Sequence, residues 1–391
     1  METISPEGLI QWLMDDSNQS LTVFARENGI NERADVIRAA DGTDLNEFWN
    51  EVNATIAIRN RDRTSILDRI VTRVDGVSEE ITTPSEVEFE EATEFGQPMS
   101  IKGGAARFFR GYDFKFWDLA IRYTWMYIAE AGLEQLRMNH NLALEADVKL
   151  RFQKLMGRLF NPLNGNGFTE KNEAVTVFAA YNGDGEVPPK YNHETFTGSH
   201  NHYLVSGGAT LTHQNLTALA NELGHHGYTL PNNYELILWV NKQEGAVIRT
   251  FKVDNGAEYD FVPNAALYNG KIWVPTNGQY VGGPQGVVQG EIGTWGPFHV
   301  VEEGYIPAGY VVAIATNGPD RLGNPVGFRE HSNADYRGLK VIPGQRSQYP
   351  LLDSFYRRGF GTGIRHRGAL AIMQVKASGN YQIPTAYDPA A

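Results

Sequence analysis

No cysteine occurs anywhere in the 391 residues, which excludes disulfides, thiol catalysis and thiolate metal sites. Long apolar runs are missing too. The longest, such as YVVAIA at Tyr310–Ala315 and LILWV at Leu236–Val240, fall far short of the ~20 residues that a membrane-spanning helix needs, so no membrane partner is expected. The amino terminus, METISPEGLIQWLMDD, carries acids where a secretory signal carries positive charge. A protein made and used without export is the expectation. Positive charge is scarce overall, with 34 Lys and Arg against 46 Asp and Glu and a formal charge of −12. That balance argues against a chain whose main task is gripping nucleic acid, because phosphate binding relies on a basic surface. It permits an acidic wall beside DNA that does not stick to it. No Gly-x-Ser-x-Gly turn occurs, so the nucleophile elbow of a hydrolase is absent.

What is present suits a large core. With 41% hydrophobic and only 20% charged residues, the chain is not disordered by composition. Its length predicts two domains or one elaborate one. Glycine, at 41 residues, exceeds its usual share of ~7% and predicts many turns.

The first eighty residues read as short amphipathic helices. Ser5 and Pro6 cap and open one ahead of Leu9, Ile10 and Leu13, and DGTDLNEFWNEV restarts another after Asp41-Gly42. Such short pieces do not stand alone, so they form an arm lying on something larger. Next, Asp75 to Glu94 holds eight acids, and no Lys or Arg falls between Arg73 and Lys102. From Lys102 to Arg122 the balance reverses, with Lys102, Arg107, Arg110, Lys115 and Arg122 against Asp113 and Asp118. Val87 and Phe89 alternate with Glu86, Glu88 and Glu90, and Tyr112, Phe114 and Phe116 alternate with Asp113 and Lys115. Period two predicts strands, and GQPMSIKGG between them supplies a loop tip. The result is a long hairpin with one acidic and one basic arm. A two-stranded ribbon is marginal alone in water, so its apolar face needs a cover, which is either its own domain or a partner.

From about Tyr123 to Leu159 there is no proline, and Trp125, Ala129, Leu133, Leu136, Leu144, Val148, Phe152 and Leu155 recur at threes and fours. The pattern predicts one helix of roughly 55 Å. Its apolar stripe drifts, so the helix bends near Gly132 or serves different neighbours at its two ends. FNPLNGNGF ends it. Thr210 or Thr212 caps a helix carrying Leu216, Leu219, Ala220 and Leu223, which glycine ends at Gly224 or Gly227. YELILWV and GAVIRTFKV read as buried and half-buried strands. Val287 to Thr316 alternates glycine turns with strands, and Ser354 to Val375 reads as two strands joined near Gly368.

Six of the ten histidines lie between His193 and His226. His200 and His202 are expected on opposite faces of an extended segment. His225 and His226 close a helix, where a cation suits the dipole. No acid stands at a zinc-ligand spacing, so capping and hydrogen bonding are expected of these residues and no metal is assigned. GFGTG at Gly359–Gly363 lacks the helix and lysine of a phosphate cradle. Arg357, Arg358, Arg365, His366 and Arg367 read as a subunit contact or a solvated face. The acidic arm's carboxylates lack the held geometry of acid-base work. No catalytic residue and no cofactor are assigned.

The order of arm, charged hairpin, long helix, glycine-rich mixed region and returning strands resembles the major capsid proteins of tailed bacteriophages, the Hong Kong 97-type fold. ATEFGQPMSIKGGAARFFRGYDFKFWDLAIRYTWMYIAEAGLEQL is similar to that family's extended loop running into its spine helix. GEIGTWGPFHVVEEGYIPAGYVVAIAT resembles the strand pair before the return to the peripheral domain, and FYRRGFGTGIRHRGALAIMQV its closing strands. SHNHYLVSGGATLTHQNLTALANELGHHGY sits where such proteins pass into the axial domain. The resemblance covers most of Ile81 to Pro384.

The resemblance implies an α+β fold with an N-terminal arm (1–80), an extended β-hairpin loop (81–118), a peripheral domain with a long spine helix (119–207 and 340–367) and an axial domain with a mixed sheet (208–339 and 368–391). It implies a head protein that self-assembles as hexamers and pentamers into an icosahedral shell around double-stranded DNA, in the virion, after assembly in the host cytoplasm. Each hairpin then lies across a neighbour, with Glu88, Phe89, Glu90, Lys102, Arg107, Arg110, Tyr112 and Phe114 as inter-subunit contacts. A separate scaffolding protein and a portal are the implied partners, without sequence-specific DNA binding. Some members crosslink through a lysine in this loop. Lys102 stands in the right region, yet no asparagine or helper acid matches, so no crosslink is expected. Two alternatives stay open: an encapsulin-type cellular compartment on the same fold, and a metal-dependent hydrolase using the His193–His226 cluster.

Overall fold

The computed structural model describes residues 39–42, 45–61, 65–83, 91–92, 94, 96, 106–264, 271–274, 279–282, 290–342 and 351–389. The expected cap at Ser5-Pro6, residues 84–90 of the acidic arm and residues 97–104 of the loop tip lie outside them. The chain divides into two compact units, one drawn from Met1–Asn60, Asp118–Glu145 and Lys340–Arg357, the other from Arg61–Trp117, Ala146–Leu339 and Arg358–Ala391.

The second unit is built on a seven-stranded mixed sheet in the order β7 (Tyr203–Val205), β18 (Leu370–Gln374), β14 (Tyr310–Thr316), β8 (Glu235–Val240), β13 (Phe298–Glu302), β12 (Glu291–Trp295) and β9 (Phe261–Pro263). All seven residues of β14 are buried, as are Leu236 to Val240 of β8. Such runs carry no alternation because both faces of the strand are covered. Ile237, Trp239, Val312 and Ile314 pack on one face with Phe152, Leu155, Met156 and Leu159. Leu236, Leu238, Val311 and Ala313 pack on the other with Leu216, Leu219 and Leu223. Each fully buried large side chain contributes about 1.5–3 kcal/mol.

The expected cap at Thr212 opens helix α5 (His213–Gly224), where the Thr212 N–H donates to Asn215 Oδ1 at 3.0 Å. Its apolar stripe is the one that covers the sheet. GAVIRTFKV is not a strand. Asn241 caps a short helix, α6 (Lys242–Ile248), by accepting from the Gln243 N–H at 3.1 Å. Gly245 there faces Glu302 so closely that a Cβ would collide with it, and Ile248 is buried from the helix. Local capping outweighed the β-branched composition.

The long helix begins later than its periodicity suggests. Tyr123 and Thr124 end strand β4 (Lys115–Thr124), a short helix α3 (Trp125–Glu130) follows, and α4 (Leu133–Phe160) starts only after a break at Ala131. Ala131 is extended, at ψ 131°. Within the first unit, the Ala40 N–H donates to Ala131 O at 3.1 Å and the Leu133 N–H donates to Asp41 Oδ2 at 2.9 Å. Asp41-Gly42, read as the turn before α1 (Leu45–Arg61), therefore also caps α4. At 28 residues, α4 is ~42 Å long. The boundary between the two units falls inside it. No helix among the described residues is long and apolar enough to cross a membrane.

A second sheet runs β1 (Val71–Val74), β15 (Val326–Arg329), β17 (Leu351–Ile364), β16 (Leu339–Ile342), with β4 also on β17. GFGTG lies in β17. A Cβ at Gly359 would stand 2.7 Å from the Phe116 ring and 2.8 Å from Phe114, one at Gly361 would collide with the backbone of Asp113, and one at Gly363 would stand 2.6 Å from Gly111 O. Three glycines two apart share one face of a strand. Their missing side chains leave the floor on which residues 111–116 lie.

Candidate inter-subunit surface

The hairpin is real at its root. Strands β2 (Ser78–Thr83) and β3 (Ala106–Gly111) pair antiparallel from Ser78 with Gly111 to Thr83 with Ala106. Glu88, Phe89, Glu90 and Lys102 lie outside the described residues, and Arg107 sits in β3. Arg110, Tyr112 and Phe114 are 3%, 0% and 3% exposed. Their place in the chain's own interior corrects the expectation that these three meet a neighbour. The period-two pattern continues past the hairpin into the body, where the glycine floor of β17 supplies the cover that its apolar face needs.

Buried charges fix this root. The Glu79 carboxylate accepts from Arg365 Nε at 2.8 Å and Nη2 at 2.5 Å, and from the Tyr112 hydroxyl at 3.0 Å. Burial alone would raise the Glu79 pKa, but the Arg365 hydrogen bonds and charge hold it below the ordinary 4.5. Arg365 also donates to Thr72 Oγ1 and to Leu322 O. One strand over, Arg110 donates to both Glu186 oxygens at 2.9 and 2.5 Å and stacks over Phe178 at 4.8 Å. Arg367, wholly buried, pairs with Asp184 at 2.9 Å and Glu186 at 3.1 Å and donates to the carbonyls of Ala179 and Ala180. Arg358 pairs with Asp147 within α4. The run Arg358, Arg365, Arg367, expected as a solvated or subunit-facing surface, is instead an internal set of cations, each with a carboxylate. Composition alone leaves this hidden, since Glu79 and Arg365 are 286 residues apart in sequence.

Beside the buried root, large apolar side chains face solvent. Phe109, the neighbour of Arg110, is 64% exposed, Phe116 45% and Val77 37%. In the first unit, Ile58, Leu119, Met126, Met138 and Leu142 are exposed as well. Scattered apolar residues are ordinary on a surface, whereas Phe109, Phe116 and Val77 stand exposed on and beside the hairpin strands.

Comparisons with known proteins give the family. No family model matches the sequence, and no curated protein does. A solved structure from Mycobacterium phage Patience is 37% identical, covering 90% of this chain and 94% of that one, with a TM-score of 0.66. The chain belongs to the major capsid proteins of tailed bacteriophages. More distant are the capsid of a native GTA particle (12% identity, 81% of this chain and 91% of that one, TM-score 0.46) and the holo-SrpI encapsulin complex of Synechococcus elongatus (12%, 81% and 89%, 0.44). At that distance neither bears on function. The capsid protein has the expected α+β, Hong Kong 97-type fold. It is a structural protein of the virion that assembles with its own copies into the icosahedral head.

The histidines of the capsid protein depart from expectation. Residues two apart on an extended segment share a face, and a bridge between Asn182 and Asn201 holds this one extended. His200 and His202 therefore point together, their Nε2 atoms 2.9 Å apart. His226 Nε2, from the turn after α5, meets them at 2.9 and 3.0 Å. An acid is present after all. Glu222 Oε1, one turn back on α5, lies 3.5 Å from His200, 3.7 Å from His202 and 3.7 Å from His225.

Proposed function

We propose that each capsid protein lays its hairpin across a neighbouring copy, with Glu88, Phe89, Glu90, Lys102 and Arg107 meeting the neighbour while Arg110, Tyr112 and Phe114 fix the root in their own chain. One contrast carries this reading: Arg110 is sealed by Glu186 while Phe109, next to it, is 64% exposed. A root pinned by desolvated ion pairs gives the strands beyond it a set direction, so the entropy of ordering them on a partner is partly met in advance. The hairpin loop spans 81–118. The peripheral domain takes 119–207 and 340–367, and the axial domain 208–339 and 368–391, a division supported by the origin of most of the seven-stranded sheet in the axial ranges. The shell encloses double-stranded DNA against an acidic wall, in keeping with the charge of −12. A separate scaffolding protein and a portal act with it in the host cytoplasm. The protein's work is assembly without catalysis.

Deleting Gln97–Arg107 tests the hairpin. Sedimentation and electron microscopy are expected to find folded subunits and no shells, with unchanged circular dichroism. Shells at the wild-type yield would refute the role. Phe109→Ser is the milder companion, expected to raise the concentration needed for assembly while leaving the subunit folded.

A further inference from the structure

We propose that His200, His202, His226 and Glu222 form a binding site for a divalent late transition-metal ion of the zinc class, a structural staple inside each capsid protein. Nothing in the assembly reading requires it, and it stands on separate geometry.

Three imidazole nitrogens touch one another at 2.9, 2.9 and 3.0 Å. A ring nitrogen either carries a proton and donates or carries a lone pair and accepts, never both. Among three in mutual contact, at least two are therefore alike, and at least one of the three contacts cannot be a hydrogen bond. His202 Nδ1 lies 2.7 Å from Leu370 O, and a carbonyl accepts only. The proton of a neutral His202 therefore sits on Nδ1, and its Nε2 turns a lone pair into the cluster. A carbonyl orienting the far nitrogen is the usual support of a metal-bound histidine. A cation among the three nitrogens removes the conflict that hydrogen bonding leaves. Tetrahedral zinc, at about 2.0–2.1 Å from each nitrogen, spaces its ligands about 3.3 Å apart, close to what is present.

The surroundings agree. Glu222 Oε1 stands 3.5 Å from His200 Nε2 and 3.7 Å from His202 Nε2, where a fourth ligand belongs. His225 Nε2 is buried without a hydrogen-bond partner, 3.7 Å from the same carboxylate oxygen, and its ring lies in the same cluster, within 4.8 Å of the other three ligand nitrogens. Phe196 and Tyr181 stack on the His226 ring at 4.4 and 5.6 Å and screen the site from water. Gly368 makes room for that ring, since a Cβ there would stand 3.0 Å from it. The nearest guanidinium, Arg367 over Tyr181, is already paired with Asp184 and Glu186. Imidazole with one carboxylate suits zinc, cobalt, nickel or copper better than magnesium or calcium. Such an ion would tie the segment before β7 to the end of α5.

The test uses the full-length protein, stripped with a chelator, titrated with zinc chloride, desalted and measured by elemental analysis. About one zinc per chain is expected, and loading with cobalt(II) should give the intense visible bands of a four-coordinate site. His200→Gln combined with His226→Gln should bring retained zinc close to zero. If that variant does not fold, the cobalt spectrum of the wild type still decides. Wild-type protein that retains no zinc after desalting, a cobalt spectrum of the pale six-coordinate aquo type, or equal zinc in the double variant would each overturn the site.

Discussion

In the seven-stranded sheet, β14 and β8 bury Val311, Val312, Ile314, Leu236, Leu238 and Trp239 against apolar helices. Around residues 358–367 the buried groups are Arg358, Arg365 and Arg367, each on a carboxylate, beside glycines that admit the chain at 111–116. Both regions exclude water. They answer differently to change: a dry strand loses stability in proportion to the apolar volume removed, whereas a buried ion pair stripped of one partner leaves an uncompensated charge. The hairpin root belongs to the second kind, so its direction depends on pairings far apart in sequence.

The strongest way to break this comparison is Gly361→Ala, which drives a Cβ into the Asp113 backbone and should cost on the order of 4 kcal/mol or more, an exceptional value for one methyl group. Denaturant midpoints of the subunit check it. Arg367→Ala comes next, at about 3–5 kcal/mol, because it leaves the buried carbonyls of Ala179 and Ala180 without their donor and takes from Asp184 and Glu186 the buried cation they share. Acid should then separate the regions. Glu79 is held below its ordinary 4.5, so the stability it contributes is complete above that value and is lost as pH falls through the depressed one. The melting temperatures of wild type and Glu79→Gln should therefore differ at neutral pH and converge in acid. Smallest is Ile314→Val in the dry sheet, at about 1 kcal/mol and independent of pH. If Arg367→Ala cost no more than Ile314→Val, the contrast would fail.

Much of the dry region was legible from the sequence. YVVAIA and LILWV have one plausible home in a large chain, and Thr212 with the Leu216, Leu219 and Leu223 stripe announced its helix. The break at Ala131 was only partly legible. Gly132 hints at it, but the carboxylate that caps the restarted helix at Leu133 comes from Asp41, 92 residues earlier. At the hairpin root, period two signals extended chain but does not tell a ribbon from its burial among glycines. That distinction rests on GFGTG, whose spacing of two was a signal for close backbone approach. At His200 and His202 the extended period puts both rings on one face, whereas Glu222 comes within reach only because α5 brings it back, which spacing in the sequence does not show.

The central claim is that the hairpin, pinned at its root, covers an adjacent subunit. Electron cryomicroscopy of the assembled particle tests it most directly. Density is expected to run from Gly111 and Ser78 onto a neighbouring copy, with Phe109 enclosed between the two. Density folding residues 84–105 back onto their own subunit, with Phe109 still facing solvent, would contradict it.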